Sequence, residues 1–238
     1  MRSLLLFYLL ITLLSCSPAL RQTELVNDSP LLAQYRFSNE PIDSLVVADA
    51  LPALEAAFGN QKTCAPKYRD KFLAALSFYP ELKDVEIRVF SKQIKTSMAV
   101  RPHRFHLARQ NRSYTIYIDD ISEDKPVDFR KASYSAQVGC FAHELAHIMY
   151  YQRRSNVTLM RSGVSYVSSQ KFRSSFEKIA DNITIRHGAG FYIYQFATFV
   201  LEKAPISDEY REFKEENYYD NDEILQLHED YVERLSEK

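Results

Sequence analysis

The residues His143-Glu144-Leu145-Ala146-His147 set two imidazoles four positions apart with a carboxylate beside them. On a helix, positions i and i+4 lie one above the other, so both imidazoles project from one face and can reach a single ion. Neutral imidazole nitrogen is a preferred ligand of Zn2+. Glu144 falls about 100° around the helix from His143, where its carboxylate can reach a water in an open coordination position. Zinc lowers the pKa of such a water to about 7, and the glutamate can take its proton as it attacks a carbonyl. Val138, Phe141, Ala142, Leu145, Ile148 and Met149 make this helix apolar over much of its surface. The site is therefore expected to be buried, and buried histidines and carboxylates need partners that a metal supplies.

A catalytic zinc site takes three protein ligands and keeps one position open. A third histidine six residues after His147 is one source, but Arg153 stands there. Further on, Phe176-Glu177-Lys178-Ile179-Ala180-Asp181 puts two carboxylates at i and i+4. Alone, such a pair weakens a helix by about 0.2–0.5 kcal/mol. Beside a metal, Glu177 becomes the third ligand, and Asp181 accepts a hydrogen bond from the second nitrogen of a ligand histidine and fixes its tautomer. The alternative is a solvated pair balanced by Arg173 and Lys178. Cys140 lies one turn before His143 on the same stripe. It can close the site as a fourth ligand, pair with Cys64 in an oxidising compartment, or pack as a reduced thiol. No motif marks a residue to stabilise a tetrahedral oxyanion. His187, Tyr192, Tyr194, Tyr210 and His228 are available, and His187 also suits a helix C-terminus.

Periodicity gives the elements that must hold these side chains. Apolar residues at intervals of three to four predict a helix over 66–79, closed by Pro80, while Pro52 interrupts any single helix over 41–60. Val85, Ile87 and Val89 alternate with charged residues as a strand, which 98–100 can extend. Phe105 and Leu107, with Tyr114, Ile116 and Ile118, alternate on either side of Arg109-Gln110-Asn111-Arg112 and predict a hairpin. The basic residues of that region, Arg101 to Arg112, suit a solvated hairpin, lipid headgroups or the protein's own acidic end. Helices are expected over 133–153, 169–187 and 191–203. Residues 208–238 carry 12 acidic and 4 basic side chains, a net of −8, and should end in a docked helix.

Residues 4–14 form an apolar run behind Arg2, too short for the roughly 20 residues that span a bilayer and suited to a signal peptide. The following Leu13-Leu14-Ser15-Cys16 resembles a bacterial lipobox. That resemblance implies lipidation at Cys16, a membrane anchor, and an address in the bacterial envelope, at the outer membrane facing the periplasm. The expected organisation is signal peptide 1–15, lipidated tether 16–40, zinc-binding domain 41–206 and acidic helical tail 207–238. A net charge of −1 argues against nucleic acid as a partner.

His143-Glu144-x-x-His147 followed by Glu177-x-x-Ala180-Asp181 resembles the gluzincin zinc peptidases. The Ala-Asp ending is most similar to the family of CAAX-processing and heat-shock membrane peptidases. The likeness spans about residues 66–190. It implies an α+β fold, in which a small antiparallel or mixed sheet packs on an active-site helix and a glutamate helix, with extra C-terminal helices. It also implies a protein or peptide substrate bound along an edge strand, His143, His147 and Glu177 as ligands, Glu144 as general base and Asp181 behind the ligands. The chain departs from that pattern in lacking the family's membrane spans and in the long interval between His147 and Glu177, where 152–168 is expected to be a loop over the cleft. A zinc-binding but catalytically weak lipoprotein that binds or assembles other components is the alternative.

Overall fold

A computed structural model describes residues 32–104, 111–123 and 125–237 of the chain. Cys16 and the leader, and Phe105 and Leu107 of the expected hairpin, lie outside the described residues. The fold is α+β, with one four-stranded mixed sheet and eight α-helices among the described residues. Helix α1 (Ser44–Phe58) and α2 (Pro66–Ser77) flank the short β1 (Lys62–Thr63). Strands β2 (Glu86–Ser91), β3 (Met98–Arg104) and β4 (Ser113–Ile118) follow, and then come only helices. These are α3 (Tyr134–Gln152), α4 (Asn156–Ser168), α5 (Gln170–Thr184), α6 (Gly190–Thr198), α7 (Asp208–Asn217) and α8 (Asn221–Ser236).

The strand order is β1-β2-β4-β3, with β1, β2 and β4 parallel and β3 antiparallel at the edge. Ile87 and Val89 are buried while their neighbours Glu86 and Arg88 are partly exposed, as the period-2 pattern requires. The central β4 buries Tyr114, Ile116 and Ile118 in the main core, where they meet Phe72, Phe141 and Leu145. The Tyr114 ring stacks 6.0 Å from that of Tyr151 at the end of α3. The 98–100 segment does not extend β2. It opens β3, which pairs with β4 from Met98↔Ile118 onward.

Helix α3 is the axis of the molecule, buried from Ser135 to Met149. The Ser133 hydroxyl caps its start, accepting from the Ala136 N–H at 3.2 Å. On one side it packs against α2 and the sheet, and on the other against α6 and α5. A Cβ at Gly139 would stand 2.0 Å from the Tyr192 carbonyl oxygen, so only glycine permits this approach of α3 to α6.

Pro52 does not interrupt α1. Pro52 and Ala48 are both exposed, so the carbonyl that loses its hydrogen-bond donor faces water, while Val47, Leu54 and Phe58 anchor the other face. Residues 156–168 are a helix and not a loop, capped by Ser155, whose hydroxyl accepts from the Thr158 N–H. The acidic end forms two helices, α7 against α5 and α8 against α6. Beyond Thr184 the chain widens into a π-helical turn with Gly188 at φ 90° before α6 begins. No helix among the described residues is long and apolar enough to cross a membrane.

Candidate metal centre

Two helices bring the site together. On α3, His143 and His147 are one turn apart, with ring centroids 4.7 Å from each other and nearly perpendicular. On α5, capped by the Ser169 hydroxyl, Glu177 and Asp181 are also one turn apart. The helices pack so that these two stripes face each other. Glu177 Oε2 lies 3.2 Å from His143 Nε2 and 3.2 Å from His147 Nε2, and the two nitrogens are 3.1 Å apart. His143, His147 and Glu177 thus form a buried group that can hold a metal ion.

The donor set fits a cation. Asp181 Oδ1 accepts from His143 Nδ1 at 2.8 Å, so in the neutral ring the Nε2 lone pair points at the other two atoms. Two imidazole nitrogens and a carboxylate oxygen then converge with nothing positive between them. Ligands at about 2.0–2.1 Å around a tetrahedral ion stand about 3.4 Å apart, close to the observed triangle. Without a metal, the demand for positive charge falls on His143. Burial pulls its pKa down, but the Asp181 and Glu177 carboxylates outweigh that and push it up to about 10. Burial also opposes ionisation of Glu177, yet the His147 and His143 rings hold its carboxyl well below the usual range.

The ligands are braced by neighbours that sequence spacing did not reveal. The Tyr166 hydroxyl on α4 donates to Glu177 Oε1 at 2.6 Å. Phe176 stacks on His147 with centroids 4.6 Å apart and rings within 16° of parallel. That stacking orients a ring whose Nδ1 has no hydrogen-bond partner. Tyr79, at the end of α2, donates to the Ala142 carbonyl at 2.7 Å and so ties the helix to the wall behind it. From the C-terminal side, the Tyr218 ring approaches His143 at 6.1 Å, and the Lys214 ammonium lies over that ring at 3.1 Å.

Glu144 is buried next to the cluster, close to the Val100 backbone of the edge strand β3. Burial raises its pKa, with the charges of His147 and His143 acting against the shift. The remaining candidates are placed elsewhere. His187 Nδ1 donates to the Ile183 carbonyl at 2.7 Å, and its ring stacks on Tyr79. Tyr192 donates to the Tyr35 carbonyl, Tyr210 packs with Phe199 and Val200, and Tyr194 packs with Ile185, Ile193 and Ile224. His228 is fully buried against Gly190.

Of the fates open to the two cysteines, the structure shows the reduced one, for Cys64 and Cys140 are both free thiols. Cys64 sits just ahead of α2, donating to the Ala65 carbonyl at 3.5 Å among Arg69, Asp70 and Glu55. Cys140, one turn before His143, lies near Glu144 and Lys214 but does not join the ligand triangle. Burial pushes the Cys64 thiol up to about 12 and raises Cys140 as well, which keeps both protonated and unreactive. No protein-family model, no curated protein and no solved structure matches the chain.

Proposed function

We propose that the chain is a zinc-dependent metallopeptidase of the gluzincin type that hydrolyses peptide bonds in the bacterial envelope. The observation that carries this reading is the triangle of His143 Nε2, His147 Nε2 and Glu177 Oε2, with Glu144 alongside and Asp181 behind. A metal-binding role alone has no use for Glu144, since three ligands are already present. When bound, zinc would polarise a substrate carbonyl and make a water acidic enough to attack it. Glu144, a carboxylate whose pKa burial raises, would take the proton of the attacking water and hand it to the leaving amine. Asp181 holds His143 in one tautomer and Tyr166 holds the Glu177 carboxylate. Val100 lies on β3, an edge strand among the described residues, which puts a strand edge beside Glu144, where an extended peptide can add to the sheet.

One observation favours the second reading, a zinc-binding lipoprotein without strong activity. His143, Glu144, His147 and Glu177 are only 7, 6, 5 and 3 % exposed, with Tyr218 and Lys214 packed beside them. A polypeptide reaches the centre only if that C-terminal cover moves.

The deciding experiment measures zinc content and peptide hydrolysis of the full chain beside Glu144→Gln and Glu177→Ala. About one zinc per chain, lost in Glu177→Ala, with hydrolysis abolished in Glu144→Gln but zinc retained, is the expected result. Zinc retained with no hydrolysis of any peptide library leaves the second reading. No zinc after metal is added back sinks both.

A further inference from the structure

Helix α4 is turned inside out. Its inner face carries Leu159, Ser162 and Tyr166, while Val157, Met160, Val164 and Val167 are 60, 67, 71 and 79 % exposed. At about 100° per residue these four fall within one outward stripe less than a quarter-turn wide. A helix on a globular surface normally shows the reverse, and scattered exposed apolar residues would need no explanation. Here four large ones are contiguous on 13 residues. The charged residues of the segment itself have one sign. Between residues 145 and 176 the chain has Arg153, Arg154, Arg161, Lys171 and Arg173 and no acidic residue. Arg153, Arg154, Arg161 and Lys171 are exposed.

We propose that α4 docks on an anionic lipid surface, burying Val157, Met160, Val164 and Val167 among the acyl chains with Arg154, Arg161 and Lys171 at the headgroups. An apolar stripe flanked by basic residues is the design of an interfacial helix. The same spacing also suits a seam between two copies. Two heptads are too few to hold one, though, and a symmetric pair would bring the like charges of the segment together. Tyr166 on the opposite face is bonded to Glu177, so the bilayer would lie one helix diameter, about 10 Å, from the metal centre.

The chain contains no tryptophan, so a single one is a clean reporter. Val164→Trp places it on the stripe, and Leu45→Trp, at a residue 72 % exposed on α1, is the control. The full chain is mixed with vesicles of phosphatidylcholine, with or without phosphatidylglycerol, some bearing brominated acyl chains. Emission from Val164→Trp should move to shorter wavelength and be quenched by bromine on the anionic vesicles, while Leu45→Trp stays unchanged. Arg161→Gln and Lys171→Gln should each raise the anionic lipid needed for half the shift by about fivefold. No shift overturns the proposal, and so does equal quenching at both positions. A shift that needs no vesicles and grows with protein concentration also overturns it, in favour of a seam between copies.

Discussion

Tyr166 and Glu177 are joined across α4 and α5 by a 2.6 Å hydrogen bond to Oε1, which leaves Oε2 as the atom facing both imidazoles. The hydroxyl thus sets which carboxylate oxygen would serve as the ligand and holds its plane. Removing such an outer partner commonly weakens metal binding about 10- to 100-fold. Tyr166→Phe should lose about tenfold in zinc affinity, read by competition with a chelating dye, with its circular dichroism unchanged. Unaltered affinity would show that α4 merely passes by.

Asp181 acts on the other flank. Its 2.8 Å bond commits His143 Nδ1 as donor and leaves Nε2 free for a metal. Asp181→Asn can present its amide to the ring and reverse the tautomer, so the expected loss is about 10- to 100-fold. Asp181→Ala should lose no more than that, because it leaves the ring free to choose. If Asn and Ala both bind zinc like the parent, the tautomer argument is wrong.

These braces mark where legibility in the sequence ended. His143 with His147, and Glu177 with Asp181, were readable because each pair lies within one helix, where i and i+4 fix the geometry. That the two helices would meet face to face could be expected only from the resemblance, since the packing of α3 on α5 joins residues 30 or more positions apart. Helix α4 escaped because its apolar residues point to solvent and its inner face is partly polar, so period and burial disagree. The sheet was legible as strands but not as an order, since the β2–β4 pairing joins residues far apart in the chain. Pro52 was misread because one exposed lost hydrogen bond weighs less than three buried side chains on the opposite face.

Gly139→Ala tests the α3–α6 contact. In an open helix this change stabilises by about 1 kcal/mol. Here the new methyl would meet the Tyr192 carbonyl at 2.0 Å, and backbone cannot move aside cheaply. Overpacking of this kind costs about 1–3 kcal/mol, so the clash wins and urea unfolding should shift to lower concentration. A stabilised Gly139→Ala would mean that α3 and α6 stand further apart.

Acid sensitivity should centre on Asp119. Its carboxylate, 1 % exposed, accepts from Lys125 Nζ at 2.5 Å, from the Ile94 N–H at 3.1 Å and from the Ser122 N–H at 3.1 Å. Burial raises its pKa, but these bonds outweigh it and hold the carboxyl well below the usual range. A carboxyl lowered by folding stabilises fully above its unfolded pKa of about 3.9, and that contribution is lost as pH falls through the folded value. Asp119→Asn leaves the half-buried Lys125 without its countercharge, a change worth about 3 kcal/mol. The deficit of Asp119→Asn against the parent should therefore be full at pH 7 and shrink only below about pH 4. A deficit that stays constant through acid would remove Asp119 from the account.

The C-terminal cover makes the last prediction, and it is kinetic. Tyr218 leans on His143 at 6.1 Å, with Lys214 above it, so an ion leaving on this side would pass these two side chains. Neither supplies a ligand atom to the triangle. Removing the ring should speed entry and exit together, because a barrier is lowered while the bound state keeps its three donors. Tyr218→Ala is expected to release zinc to excess chelator several times faster than the parent, with an equilibrium affinity within about threefold. Lys214→Met, which removes a positive charge near the carboxylates but keeps the bulk, should do the opposite: tighter binding and little change in exchange rate. Equal exchange rates in the parent and Tyr218→Ala would show that the ion leaves by another route, and the C-terminal helices would then be packing and not a gate.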